Sequence, residues 1–112
     1  MSCLFCGVVE GTIPSRKAYE DERLVAFHDI NPQAPTHVLV IPKQEIAKLS
    51  DAGAEHQALL GHLMLAAGKI ARSLGVGDAF RLVVNNGAEA GQSVFHLHLH
   101  ILAGRNLRWP PG

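Results

Sequence analysis

Residues 96–102 read His-Leu-His-Leu-His-Ile-Leu, and this alternation constrains the fold more than any other stretch of the chain. Successive side chains of a β-strand point to opposite faces, so a period of two predicts a strand here. Leu97, Leu99 and Ile101 then face a core. His96, His98 and His100 line the other face, neighbours about 6–7 Å apart. Three imidazoles in a row are a poor choice for stability alone. Each is a nucleophile, acid, base or ligand near neutral pH.

The other elements follow from pattern and punctuation. Glu20–Arg23 separates Lys17–Tyr19 from Leu24–His28 and reads as a hairpin turn. Asn31-Pro32-Gln33-Ala34-Pro35 is a loop, because two prolines cannot occupy a central strand. His37–Ile41 is a continuous apolar run ended by Pro42, which predicts a strand buried on both faces. Gln44–Lys48 is read as one helical turn. From about Ala54 to Leu74 the period becomes helical, with Leu59, Leu63, Ala66, Ala67, Ile70 and Leu74 on one stripe. Gly75 and Gly77 end that helix. Its second face carries Gly61, Met64, Gly68 and Ala71, small or apolar where a lone surface helix would carry charge, and this predicts a subunit interface. Phe80–Asn85 alternates as a strand, Asn86–Ser93 is a glycine-containing loop, and the tail Arg105–Gly112 is extended. The expected architecture is α+β, one domain over 1–112: a five-stranded, mainly antiparallel sheet with one long and one short helix.

Composition removes several classes. Ten basic residues balance ten acidic ones, which leaves no electrostatic case for a nucleic-acid backbone as partner. The longest apolar runs are far short of a membrane span. The first residues lack a basic segment followed by a long apolar one, so no secretory signal is evident and a cytoplasmic chain is expected. Cys3 and Cys6 are the only cysteines, too few for a disulfide framework. With two histidines they would make a tetrahedral zinc site. Two buried thiols or a redox pair also fit the spacing.

Asn85–Ser93, directly before the histidines, offers free backbone N–H groups, amides and a hydroxyl, and its glycines let the backbone close on an anion. An anion cradle beside nucleophilic imidazoles points to phosphoryl or nucleotidyl chemistry.

With these residues in place, the chain resembles the histidine triad (HIT) family, in particular its nucleoside phosphoramidase branch. His96–Leu102 meets the family pattern His-φ-His-φ-His-φ-φ, where φ is apolar. Phe27–His37, Val40–Lys43, Gly91-Gln92-Ser93, Gly104-Arg105 and the closing Trp109-Pro110-Pro111-Gly112 also resemble it. The resemblance implies a homodimer with a sheet continuous across the interface and a purine nucleoside monophosphate pocket, for AMP or GMP, on each subunit. It implies that His98 is the nucleophile, nucleotidylated at phosphorus, with His37, His96 and His100 completing the cluster. It places Asp29 at the ribose hydroxyls and Ile30 near the base. It assigns Asn85, Gly91, Gln92, Ser93 and the Val94 backbone to the phosphate and leaving group. No cofactor is then needed for catalysis. Cysteine-bearing members of the family imply a structural zinc on Cys3, Cys6, His37 and His96. The implied activity is hydrolysis of purine nucleoside 5′-phosphoramidates. The alternatives are a dinucleoside polyphosphate hydrolase, which the tail Gly104–Gly112 disfavours, and a nucleotide-binding regulatory or scaffold protein with incidental hydrolysis.

Overall fold

A computed structural model describes residues 3–112. A short helix α1 (Leu4–Glu10) precedes strands β1 (Lys17–Glu20), β2 (Leu24–His28) and β3 (Thr36–Pro42). The long helix α2 (Gln57–Ser73) leads to β4 (Phe80–Val83) and β5 (Leu99–Ala103). The strands form one sheet in the order β1-β2-β3-β5-β4, antiparallel throughout.

The hairpin between β1 and β2 closes on Asp21, whose Oδ1 accepts the N–H groups of Arg23 and Leu24 at 2.8 and 3.0 Å. An aspartate bonding its own turn is a common way to set such a corner. Asp21 Oδ2 reaches His62 of α2 at 2.7 Å and Tyr19 at 2.9 Å, tying the hairpin to the helix. β3 is central and buried from His37 to Pro42, as its unbroken apolar run predicts. α2 begins after a single 3₁₀ turn at Ala54–His56. It ends at Gly75, whose φ of 79° lets Val76 N–H reach Ala71 O and Gly75 N–H reach Arg72 O. This pairing is the Schellman arrangement, and it needs a left-handed residue at Gly75.

Register divides the core in two. Val38 pairs with Ile101 and Val40 with Leu99, and these face α2 together with Leu59, Leu63, Ala67 and Ile70. Leu39 pairs with His100 and His37 with Leu102 on the opposite face. There Phe5 and Val8 of α1 pack on Val25, Phe27, Leu39 and Ile41.

Four expectations need correction. Gln44–Lys48 is not helical; Ile46 is buried there and its carbonyl takes the Leu97 N–H at 2.6 Å. The short helix is instead α1. The last strand starts at Leu99, not His96, because the backbone before it is held by Ile46 and by a histidine side chain rather than by the ladder. The alternation of faces nevertheless persists: Leu97 joins the α2 core, while His96 and His98 turn to the α1 side. β4 ends at Val83, short of Asn85. Ala71 is fully buried in the core, so it does not belong to an open helix face; Gly61, Met64 and Leu65 do. No helix among the described residues is long and apolar enough to cross a membrane.

Candidate functional site

The open end of the α1 face is a cavity of about 270 Å³. Leu4, Phe5, Val8, Ile13, Phe27 and Leu39 make its apolar wall, and Asp29, Ser93, His98 and His100 its polar side. Ile30 stands fully exposed at the rim. An apolar slot with a few converging polar groups is the usual form of a small-molecule site.

His98 is buried, and its Nδ1–H donates to the carbonyl of His96 at 2.8 Å. That bond fixes the tautomer, so Nε2 carries the lone pair. Phe5 meets the His98 ring edge-on, with centroids 5.0 Å apart. Burial lowers the His98 pKa below the ordinary histidine value, against the opposing pull of the His96 carbonyl. The ring is therefore neutral near pH 7.

A second chain of bonds sets His100. The Gln33 backbone N–H donates to His37 Nδ1 at 3.0 Å. His37 Nε2 must then carry the proton, and it donates to His100 Nδ1 at 2.9 Å. His100 is left with its proton on Nε2. That atom is buried and has no partner among the described residues. Burial, followed by the neighbouring His98 and His37, pushes the His100 pKa down to about 4. Asp29 Oδ2 lies 3.4 Å from His37 Nε2, and Oδ1 accepts the Asn31 N–H at 2.8 Å. Burial lowers the His37 pKa in the same way, with Asp29 pulling against it.

Gly104 and Arg105 explain how the Gln33 loop is held. Gly104 has φ 96°, and a Cβ there would stand 2.8 Å from Pro35. Only glycine lets the chain pass so close. Arg105 Nε then donates to Gln33 O at 3.1 Å.

His96 faces away from the cavity. Its Nε2–H donates to Pro42 O at 2.7 Å. Its Nδ1 lone pair lies 3.4 Å from Cys3 Sγ and 3.5 Å from Cys6 Sγ. These three ligand atoms lie within 4.8 Å of one another. An imidazole whose other nitrogen is anchored on a carbonyl is the usual form of a metal-ligating histidine. Burial, followed by Cys3, pushes the Cys6 thiol up to about 12, with Glu45 adding to the effect. A bound cation would reverse that balance. The donor set suits zinc: two thiolates and one imidazole, with the Glu45 carboxylate lining a second, separate cavity beside Cys3 and Cys6. His37, the expected fourth ligand, is not part of this group, because Gln33 and His100 occupy both its nitrogens.

The remaining site residues divide as follows. Ser93 and Val94 line the cavity. Gln92 does not present its amide there: it is buried, accepts the Gly87 N–H, and donates to Ala47 O and Val94 O. Its role is to shape the loop. Gly91, at φ 102°, lies against the Asn85 side chain, which lines a neighbouring cavity with Arg81, Arg105 and Arg108. His28 pairs with Val38 and so falls on the α2 face of the sheet. His56 and His62 bond to Gln44 and Asp21, outside the site.

Sequence reading missed the wall contributed by α1 and the function of Gln33. Leu4, Phe5 and Val8 share one helical stripe closed by Gly11, whose φ is 84°. That was a usable signal in a very short segment. The Gln33 backbone N–H leaves no trace in residue type.

The family model described as "HIT domain" matches residues 10–107. An uncharacterized HIT-like protein of Synechocystis is 58% identical over 109 residues, 97% of this chain and 96% of its own. A HIT family hydrolase from Legionella pneumophila superposes with TM-score 0.97 at 45% identity, covering 99% of this chain and 100% of that one. A histidine triad nucleotide-binding protein from Candida albicans superposes with TM-score 0.83 at 32% identity, over 97% and 83% of the two chains.

Proposed function

The chain belongs to the HIT domain family, and from that premise we propose that it is a purine nucleoside 5′-monophosphoramidase, cleaving the P–N bond of AMP– or GMP–amine conjugates. One observation carries the reading. His98 Nε2 presents a free lone pair, and the His100 Nε2–H, unpartnered among the described residues, stands on the same side of the sheet, with ring centroids 4.9 Å apart. The names of the Legionella hydrolase and the Candida nucleotide-binding protein support hydrolysis and a nucleotide ligand.

In this reading the base enters the apolar slot between Phe5, Val8, Phe27 and Leu39, with Ile30 at its edge. Asp29 accepts the ribose hydroxyls. His100 Nε2–H donates to a phosphate oxygen, and Ser93 and the Val94 backbone support the phosphate or leaving-group side. His98 Nε2 attacks phosphorus, and the P–N bond breaks as the amine nitrogen takes a proton from solvent at the cavity mouth and leaves as the free amine. Positive charge then resides on the nucleotidylated imidazole, opposite the His96 carbonyl, which stabilises it as a triad carboxylate would. Water attacks the same phosphorus, the P–Nε2 bond breaks, and the nucleoside monophosphate is released with His98 restored.

The same reading includes two assemblies. Zinc on Cys3, Cys6 and His96 would hold the N-terminal segment to the sheet. A homodimer would cover the open face of α2, where Met64 and Leu65 are 56% and 79% exposed.

The test is a panel of AMP- and GMP-amine conjugates with intact-mass detection after rapid quenching. The expected result is turnover with a transient nucleotidyl adduct that His98→Asn abolishes. Binding without turnover across the panel would favour the regulatory alternative; faster cleavage of dinucleoside polyphosphates would place the chain in the neighbouring branch.

A further inference from the structure

Helix α1 touches two places at once. Cys3 is its N-cap, with the Cys6 N–H bonded to Cys3 Sγ at 3.2 Å, and both sulfurs face His96 Nδ1. On the same seven residues, Leu4, Phe5 and Val8 form a wall of the cavity. A helix this short has no stability of its own, so its position is set by its anchors.

His96 also has two attachments. Its ring is gripped between the sulfurs and Pro42 O, and its carbonyl receives the His98 Nδ1–H. Phe5 closes the loop of contacts, edge-on to His98 and 6.2 Å from the His96 ring. The sulfurs touch neither the cavity nor His98, yet each path from them ends at one of these within a residue or two.

We propose that Cys3 and Cys6, acting through His96 and α1, are positioning residues that hold both the His98 tautomer and the nucleotide-facing wall. The nucleotide half of this inference rests on the proposed function; the His98 half does not. Replacing the sulfurs leaves the His96 ring held at Pro42 O alone, and the slack on its sulfur side reaches the carbonyl that orients His98. It also releases the start of α1, and Phe5 moves with it. Coupling of this kind is reciprocal, so a ligand that seats against Phe5 and Val8 must also quiet the sulfurs.

Two measurements test it. In the first, Cys3→Ala/Cys6→Ala is compared with Leu63→Ala, a core change on the opposite face. Expected for the cysteine pair are AMP affinity weaker by roughly 5- to 20-fold and loss or broadening of the His98 Nδ1–H resonance in nucleotide-free protein. A Cys3→Ser/Cys6→Ser chain, which keeps the N-cap acceptor, should recover part of both. Leu63→Ala should lower the unfolding temperature and change neither. In the second, which needs no variant, AMP should slow iodoacetamide modification of Cys3 and Cys6 in the native chain by a similar factor, with any bound zinc first removed by chelator. A cysteine pair that lowers thermal stability while AMP affinity and the His98 resonance stay unchanged would show a purely structural cluster and overturn the proposal; so would alkylation indifferent to bound AMP. A native chain that binds neither AMP nor GMP defeats the nucleotide reading instead, and the His98 resonance then decides the rest.

Discussion

The two faces of the sheet solve opposite problems with the same strands. Toward α2, Leu24, Val38, Leu97 and Ile101 meet Leu63 and Ile70 in a core with no polar side chain among its buried members. Toward α1, the next residues along the same strands bring His37, His98 and His100 into a cluster only partly capped by Phe5 and Val8. The first face earns stability by burial alone. The second buries polar rings at a cost that hydrogen bonds offset, and it leaves one donor, His100 Nε2–H, without a partner among the described residues. The contrast teaches that β3 and β5 carry fold and chemistry at alternate positions, so each can be perturbed without the other.

The largest expected effect is on the histidine face. His98→Asn removes the attacking nitrogen and should reduce kcat/KM by roughly a thousandfold or more. Its thermal unfolding should move by only a few degrees, and a variant with near-normal turnover would end the nucleophile assignment. Leu63→Ala is the mirror experiment. It should cost about 2–5 kcal/mol in urea unfolding, while the folded protein keeps turnover within about twofold. A large loss of activity there would break the separation of faces.

Ser93→Ala lies on the cavity rim and should lower kcat/KM by roughly 10- to 100-fold, the scale of one or two transition-state hydrogen bonds. No change in rate or AMP affinity would make it a loop residue only. Gly68→Leu examines the outer surface of α2. A Cβ there would meet only Arg72 Nη1 among the described residues, at 3.7 Å. Protomer stability should hold or rise slightly, while dimer affinity in sedimentation falls about tenfold through overpacking. A native chain that sediments as a monomer removes the interface.

The smallest effect is pH-dependent and belongs to the histidine face alone. Burial holds His37, His98 and His100 below the ordinary value of 6.5, with His100 at about 4. On unfolding they return to 6.5, so the unfolded chain takes up protons first as pH falls. The stability contributed by these neutral rings is complete above pH 6.5. It declines as pH drops from 6.5 through the folded-state values, about 4 for His100. The acid limb of kcat/KM should likewise lie below 6.5. An acid limb at or above that value would contradict the buried, neutral triad.

The sequence announced the histidine face because alternation is written in residue type. His96–Ile101 declares its two sides, and Leu59–Ile70 its one. α1 was harder to read, since two turns of helix give little periodicity to count. Gln44–Lys48 looked helical and is not, because Leu97 draws the Ile46 carbonyl into a long-range bond that no local pattern reports. The same limit applies to the histidine that meets the cysteines. Spacing pairs Cys3 with Cys6, but which histidine meets them depends on backbone contacts. Gln33 claims His37 and Pro42 orients His96. Gln92 shows the reverse error: a polar residue beside the site whose amide is consumed by the loop itself.

One consequence of the Gln33–His37–His100 chain lies in its sense. It starts at a peptide N–H, which can give a proton in a hydrogen bond and never receive one. The two neutral rings that follow inherit that orientation, much as a rectifier passes current one way. The last link can therefore only offer a hydrogen to what enters the cavity. A phosphate oxygen suits it; an ammonium or a protonated hydroxyl oriented as donor meets hydrogen against hydrogen. The donor character of this atom is thus set in a surface loop, two imidazoles away.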